Sequence, residues 1–354
     1  MMGKPLIQAR REIDTMIDRA ENLYKLASDV MKDDNISIDS TNVLKIRKDP
    51  IGISFLISPW NYPLITVIGS LVPSILFGNP VILKHSPRTP LVGNYFEDAF
   101  KSIGALNVVQ HLFVSNEDVS QIYSYEDINF VGFTGSVETG RRVLKDIAMA
   151  NRFIHTNFEL GGKDAAYICA DADLDFAVDN VVDGAMYNSG QSCCAIERVY
   201  VHSSIYDEFC QKAADLITKQ YKLGDPLNGE TNLGPMALPD APILLKEQVE
   251  EAVASGAEIV CGGNIVNDST GNGRFFEPTL LKECRNDMQI VAKESFGPVL
   301  PVVKVDNDDE AIDLINNSEY GLTSALYTKD YNKANLLANR VVLINFRLIL
   351  ELCF

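Results

Sequence analysis

Between residues 51 and 160, short and almost wholly apolar segments alternate with segments of helical periodicity, and this rhythm admits few folds. Strand-like runs stand at 51–57, 80–83, 108–114, 127–133 and 153–160, with helical runs at 63–77, 91–102 and 136–149 between them. A strand that is apolar on both sides has to be covered on both faces, which calls for a parallel sheet with crossover helices. The rhythm resumes with strands at 165–169 and 198–202 and helices at 173–187 and 204–220. A Gly- and Pro-rich loop over 224–242, a helix to about 255, and further strands and helices to about 340 follow. The fold class is therefore α/β, with one parallel-sheet domain over 1–160 and a second over 161–345. Ahead of the first sheet, Leu6, Ile13, Met16, Ala20, Leu23 and Ala27 form an apolar stripe at helical spacing. Residues 36–39 and 43–46 read as a hairpin inside an arm over 34–50. The last run, 341–354, is an apolar strand that stops without a cap.

Charge narrows the partners. With 31 basic and 48 acidic side chains the net charge is −17, and no basic cluster occurs. Neither a nucleic acid nor an anionic membrane surface suits such a chain. No apolar run approaches the roughly 18 residues that span a bilayer, and the N-terminus carries no secretory pattern. The seven cysteines are scattered, odd in number and lack a Cys-x-x-Cys spacing. This usage suggests reduced thiols and a cytoplasmic setting. The four histidines are far apart, so no metal site is expected.

Four segments could carry chemistry, each with an ordinary reading beside it. In Gly190-Gln191-Ser192-Cys193-Cys194, turn amides could lower a thiol's pKa and hold an oxyanion, although ordinary buried cysteines would look alike. In Glu159-Leu160-Gly161-Gly162-Lys163, a carboxylate at a strand end before a glycine turn suits a general base, or is a surface acid. Trp60-Asn61 stand between Pro59 and Pro63 at another strand end. Asn61 could donate to an oxyanion, or the segment is a rigid turn with a packed Trp. Finally, Gly135-Ser136 open a helix after a strand, where a phosphate could bind. Gly135 and Gly140 have P-loop spacing, but Arg141-Arg142 replaces the Lys-Ser/Thr that spacing needs.

Taken in order, these segments resemble the aldehyde dehydrogenase superfamily. The matching stretches are Pro59-Trp60-Asn61-Tyr62-Pro63, Leu83-Lys84, Phe133-Thr134-Gly135-Ser136, Glu159-Leu160-Gly161-Gly162-Lys163 and Gly190-Gln191-Ser192-Cys193. Glu277-Pro278-Thr279, Glu294-Ser295-Phe296-Gly297-Pro298 and Tyr320-Gly321-Leu322-Thr323 complete the set. The resemblance implies two Rossmann-like domains, the first binding the dinucleotide and the second catalytic, with the hairpin as an oligomerisation arm. It implies oxidation of an aldehyde to a carboxylic acid with NAD or NADP. Cys193 would be the nucleophile, Asn61 an oxyanion donor, and Glu159 the base that hydrolyses a thioester. Cys194 would be a structural neighbour. Lys84 would bind the adenosine ribose, Gly135, Ser136 and Gly140 the pyrophosphate region, and Glu294 the nicotinamide ribose, with Phe296 near the nicotinamide and Trp60 at the edge of the same cleft. Many NAD-preferring members have an acid where Pro87 stands here. Its absence leaves Lys84 and Arg88 to favour a 2′-phosphate, unless Arg88 simply faces solvent. Glu159 argues against acyl transfer to coenzyme A.

Members of the family extend further at both ends, and 346–354 diverge from their pattern. The resemblance therefore implies a truncated chain that lacks the strand with which such proteins form homo-oligomers. A catalytically silent remnant is the competing expectation.

Overall fold

The computed structural model describes residues 2–38, 42–267, 271 and 273–342. The tip of the hairpin and the strand and tail expected over 343–354 lie outside the described residues. The chain divides into two compact units, one of residues 10–160 and one of residues 2–9 with 161 onward.

In the first unit, helix α1 (Leu6–Val30) is followed by the antiparallel ladder of β1 (Asp34–Ile38) and β2 (Val43–Ile46). The sheet then forms from β3 (Ile53–Ser58), β4 (Val81–His85), β5 (Val109–His111), β6 (Ile128–Thr134) and β7 (His155–Glu159). Its order is β5-β4-β3-β6-β7 and every pairing is parallel. Helices α2 (Ile65–Leu76), α3 (Val92–Ser102), α4 (Val119–Ile122) and α5 (Val137–Met149) connect the strands. Successive side chains on a strand point to opposite faces. Leu56, Val81 and Leu83 accordingly pack with Val67, Leu71 and Phe96, backed by Met16, Ala20 and Leu23 of α1. Phe55, Val131 and Phe133 pack on the other side with Tyr123, Val143 and Ile147. Each such large side chain contributes roughly 1.5–3 kcal/mol by leaving water, which is why the strands are apolar throughout.

The second unit's large sheet has the order β10-β13-β14-β9-β8-β15. It comprises β8 (Asp164–Ile168), β9 (Ile196–His202), β10 (Glu258–Cys261), β13 (Thr279–Lys282), β14 (Val299–Val305) and β15 (Ser324–Tyr327), with β11 (Ile265–Val266) and β12 (Phe275–Phe276) as a separate ladder. Helices α6 (Leu174–Met186) and α7 (Tyr206–Gln220) cover one face. Helices α8 (Ala241–Ala254), α9 (Gln289–Ala292), α10 (Asp308–Asn316) and α11 (Tyr331–Ala338) cover the other. One strand departs from the expected parallel sheet: β10 runs antiparallel to β13. A parallel return needs a crossover of a dozen or more residues, usually helical. Among the described residues, the stretch between these strands carries the β11–β12 ladder and no helix. Among the described residues no helix is long and apolar enough to cross a membrane.

Candidate active site

In the first unit the chain leaves β3 for β4 and β5 on one side and returns to β6 and β7 on the other. This reversal is the switch point at which open α/β sheets bind ligands, beyond the carboxyl ends of the strands. Trp60 and Asn61 follow β3, Lys84 and His85 end β4, Gly135 and Ser136 follow β6, and Glu159 ends β7. Six of the residues singled out in the sequence thus share one edge of one sheet.

Their supports are specific. Helix α2 has no side-chain cap of its own. The buried Glu12 of α1 supplies one, accepting from the backbone N–H of Leu64 at 2.9 Å and Ile65 at 3.3 Å. This fixes the helix start just beyond Asn61, which is itself buried. Ser136 caps α5, its Oγ accepting from the Thr139 N–H. The Gly135 N–H donates to the Glu159 carbonyl at 3.0 Å, tying the end of β7 to the start of that helix. Gly140 lies inside α5, where a Cβ would meet Leu160 at 2.6 Å. The glycine lets the helix approach its neighbour closely.

Lys84 donates to Asn116 at 2.9 Å, and burial holds its ammonium below the usual lysine range. Beside it, burial pulls the His85 imidazole down to about 4, so the ring is neutral at physiological pH. His85 Nε2 lies 2.9 Å from the Pro63 carbonyl, which can only accept, so Nε2 carries the hydrogen. The bare Nδ1 is buried and has no hydrogen-bond partner among the described residues. His85 lines a cavity of about 570 Å³ with Pro87, His111, Phe113, Ser115 and Glu117.

The second unit departs from the carboxyl-end rule. Cys193 precedes β9, Gly161 and Gly162 precede β8, and Glu294 and Phe296 precede β14, so its candidates gather at the amino ends of the strands. Asn188 (φ 56°), Ser189 (φ 55°) and Gly190 (φ 68°) are left-handed in succession. This unusual turn is held by buried hydrogen bonds. The Asn188 N–H donates to Gln8 Oε1 at 3.1 Å, the Asn188 amide to the Gln191 carbonyl at 3.1 Å, and Ser189 Oγ to the Gly234 carbonyl at 2.9 Å. A Cβ on Gly190 would lie 2.1 Å from the Gly297 carbonyl oxygen. A Cβ on Gly162 would lie 2.6 Å from the Cys193 carbonyl oxygen, and one on Gly161 would lie 2.4 Å from the Glu294 carboxylate. Three motifs far apart in sequence thereby meet backbone to backbone.

Electrostatics here differ from the expectation that turn amides lower the Cys193 pKa. The hydrogen bond to Cys194 and burial push the Cys193 thiol up, with Asp164 and Glu294 adding to the shift. Its partner Cys194 is drawn down by the same hydrogen bond, helped by Ser192. One proton leaves this thiol pair readily and the other is held, because a thiolate on either sulfur accepts from its neighbour. Glu294 is pushed up to about 7 by burial and by Glu197, against the Gly162 N–H that donates to it at 3.3 Å.

Sequence reading missed three residues. One is His85. The second is Asp164, buried and bonded to the Thr323 N–H and hydroxyl, with burial pushing it up to about 8. The third is Glu197, which with Lys163 forms a wholly buried ion pair at 2.7 Å. Two adjacent charges, Glu197-Arg198, inside an otherwise apolar strand were the available signal.

Residues 1–345 match the profile of the aldehyde dehydrogenase family. Retinaldehyde dehydrogenase 3 of Mus musculus is 35% identical over 88% of this chain, which spans 60% of that relative's length. Betaine aldehyde dehydrogenase of Bacillus subtilis is 32% identical over 96% of the chain and 69% of its own length. Succinic semialdehyde dehydrogenase from Streptococcus pyogenes, solved with NADP+, superposes with a TM-score of 0.90 at 30% identity, covering 97% of this chain and 74% of that one. Lactaldehyde dehydrogenase from Escherichia coli gives 0.90 at 32% identity, covering 96% and 71%. With that profile matched over residues 1–345 and relatives above 30% identity covering most of its length, the chain belongs to the aldehyde dehydrogenase family.

Proposed function

We propose that this chain oxidises an aldehyde to a free carboxylic acid with NAD or NADP, through a thioester on Cys193. The observation that carries the reading is the packing of the Cys193 carbonyl and the Glu294 carboxylate onto one Gly161–Gly162 turn. It gives the sulfur nucleophile and a ribose-binding acid a common backbone support.

Cys193, with its proton passed to Cys194, bonds through sulfur to the aldehyde carbon and gives a thiohemiacetal. The Asn61 amide and the Cys193 N–H hold the oxygen on which charge develops, and one such donor is worth roughly 10²–10³ in rate. An oxidised nicotinamide, when bound, supplies the acceptor for the hydride that leaves this carbon. As the hydride leaves, the alkoxide oxygen re-forms its double bond to carbon, and the product is the thioester. Glu159 then takes a proton from water as its oxygen adds to the thioester carbon, a contribution of roughly 10²–10⁴. The carbon–sulfur bond breaks, the thiol is restored and the acid leaves.

The donor set fits a dinucleotide. The N-terminus of α5, capped by Ser136, suits a pyrophosphate. Gly135 and Gly140 keep that helix close to its sheet. Lys84 would hold the adenosine ribose beside the cavity, where the unpartnered His85 Nδ1 awaits a hydrogen-bond donor. Glu294 would take the nicotinamide ribose, with Phe296 packed near the ring. The lack of an acid at Pro87, with Lys84 and Arg88 near, favours acceptance of a 2′-phosphate. The thiols must stay reduced, which suits the cytoplasm. The exposed Ile36, Val43, Leu44 and Ile46 of the hairpin suit contact with a second copy.

The test is absorbance of reduced nicotinamide when the purified, folded chain meets NAD or NADP and a panel of retinaldehyde, betaine aldehyde, lactaldehyde and succinic semialdehyde. The reading expects turnover with at least one, abolished in Cys193→Ala and unaffected by coenzyme A. A folded chain that turns over none would refute it and leave the silent-remnant reading.

A further inference from the structure

Glu197 is 2% exposed, and among the described residues it accepts hydrogen bonds from Lys163, Ser295 and Phe296 of the second unit. Its Oε2 accepts from Lys163 Nζ at 2.7 Å and from the Ser295 N–H at 2.7 Å. Its Oε1 accepts from the Phe296 N–H at 2.9 Å. Lys163 Nζ also donates to Ser295 Oγ at 2.9 Å, and the Lys163 carbonyl accepts from Arg198 Nε at 2.7 Å. A buried ion pair is a poor way to add stability, since a well-packed apolar pair of the same size usually serves as well or better. What this pair does instead is geometric. Both oxygens of one carboxylate grip two consecutive amides of a segment distant in sequence. They hold Phe296 at φ 51°, a left-handed conformation a Phe rarely adopts. The same ion pair anchors Lys163, the residue after Gly162, whose N–H donates to Glu294. Glu294 is therefore fixed from both sides, through Ser295 on its own chain and through the Gly162 amide that it accepts from.

We propose that Glu197 is a positioning residue that, through Lys163, Ser295 and Phe296, sets the pose in which Glu294 and Phe296 receive the nicotinamide half of the dinucleotide. This rests on the cofactor reading above. In Glu197→Gln the single remaining oxygen can serve one of the two amides, and the new NH₂ group confronts the other amide or the Lys163 ammonium. Phe296 is then free to leave its left-handed conformation and Glu294 loses its backing.

The experiment compares wild type, Glu197→Gln and the double variant Lys163→Met/Glu197→Gln. It measures binding of NAD, NADP and ADP by titration calorimetry, and amide hydrogen exchange over 294–297. Loss of a charge-assisted hydrogen bond weakens dinucleotide binding about ten- to a hundredfold, while ADP binding stays within about twofold because the nicotinamide half is absent from ADP. Exchange over 294–297 quickens. The double variant, freed of an unpaired ammonium, regains melting temperature but not dinucleotide affinity. Equal loss for ADP and the dinucleotides would show a general structural role and overturn the proposal, as would unchanged affinity with unchanged exchange. A wild-type chain that binds ADP but neither dinucleotide overturns the cofactor reading and, with it, this role for Glu197. Wild-type binding with an unaffected variant overturns the positioning role alone.

Discussion

Asp164→Asn should stabilise this chain, and by an amount that grows with pH. Asp164 is 3% exposed, accepts from the Thr323 N–H at 3.0 Å and bonds the Thr323 hydroxyl. Burial raises its pKa from 3.8 to about 8 against the pull of those two bonds. A raised carboxyl keeps its proton in the folded chain after the unfolded chain has lost its own. Stability is therefore lost as pH climbs from about 4 to about 8. The slope is about 1.4 kcal/mol per pH unit, accumulating to about 4 kcal/mol near neutrality. That is a large share of the roughly 5–15 kcal/mol by which folded proteins are stable. Asparagine is neutral throughout, can accept from the Thr323 N–H and can donate to the Thr323 hydroxyl. The assay is urea unfolding of both chains at intervals from pH 4.5 to 8.5. The expected result is two curves that nearly coincide at the acid end and diverge steadily above it, with the variant the more stable. A constant difference across that range would refute the reasoning, because it would mean that Asp164 titrates alike in both states.

Other substitutions probe the supports of the site. Gly190→Ala forces a Cβ onto the Gly297 carbonyl in a left-handed turn and should cost about 2–4 kcal/mol in urea unfolding; an unchanged midpoint would dismiss the close approach as unimportant. Glu12→Ala leaves the first amides of α2 uncapped and should cost about 1–2 kcal/mol by the same measurement. Lys84→Met should weaken binding of NADP more than of NAD, about tenfold in calorimetric titration, and equal losses would remove the argument for a 2′-phosphate contact.

How far these features were legible in the sequence depends on how local their causes are. Strands such as β3 were plain because Phe55 and Leu56 serve opposite faces, so the whole run had to be apolar. The motif glycines were visible as motifs, but not as contacts. Gly162 matters because Cys193, well downstream, lays its carbonyl against it. Glu197 was passed over because its partners Ser295 and Phe296 come from another segment, and no local pattern announces them. The antiparallel β10 was missed because edge pairing is decided by what fills the following loop. The amino-end placement of Cys193 ran against the usual expectation for parallel sheets, and the hydrogen bond between the two sulfurs pushes the Cys193 thiol up and draws Cys194 down, which no local pattern announced.

The claim on which the account turns is that sulfur of Cys193 carries the acyl group and Glu159 releases it. Mass spectrometry of Glu159→Gln, quenched after exposure to propanal and the dinucleotide, tests this directly. The expected result is a propionyl adduct confined to the Cys193 sulfur, building up to one per chain and absent in wild type at the same time point. An adduct on Cys194, or none while wild type still turns over, would contradict the assignment.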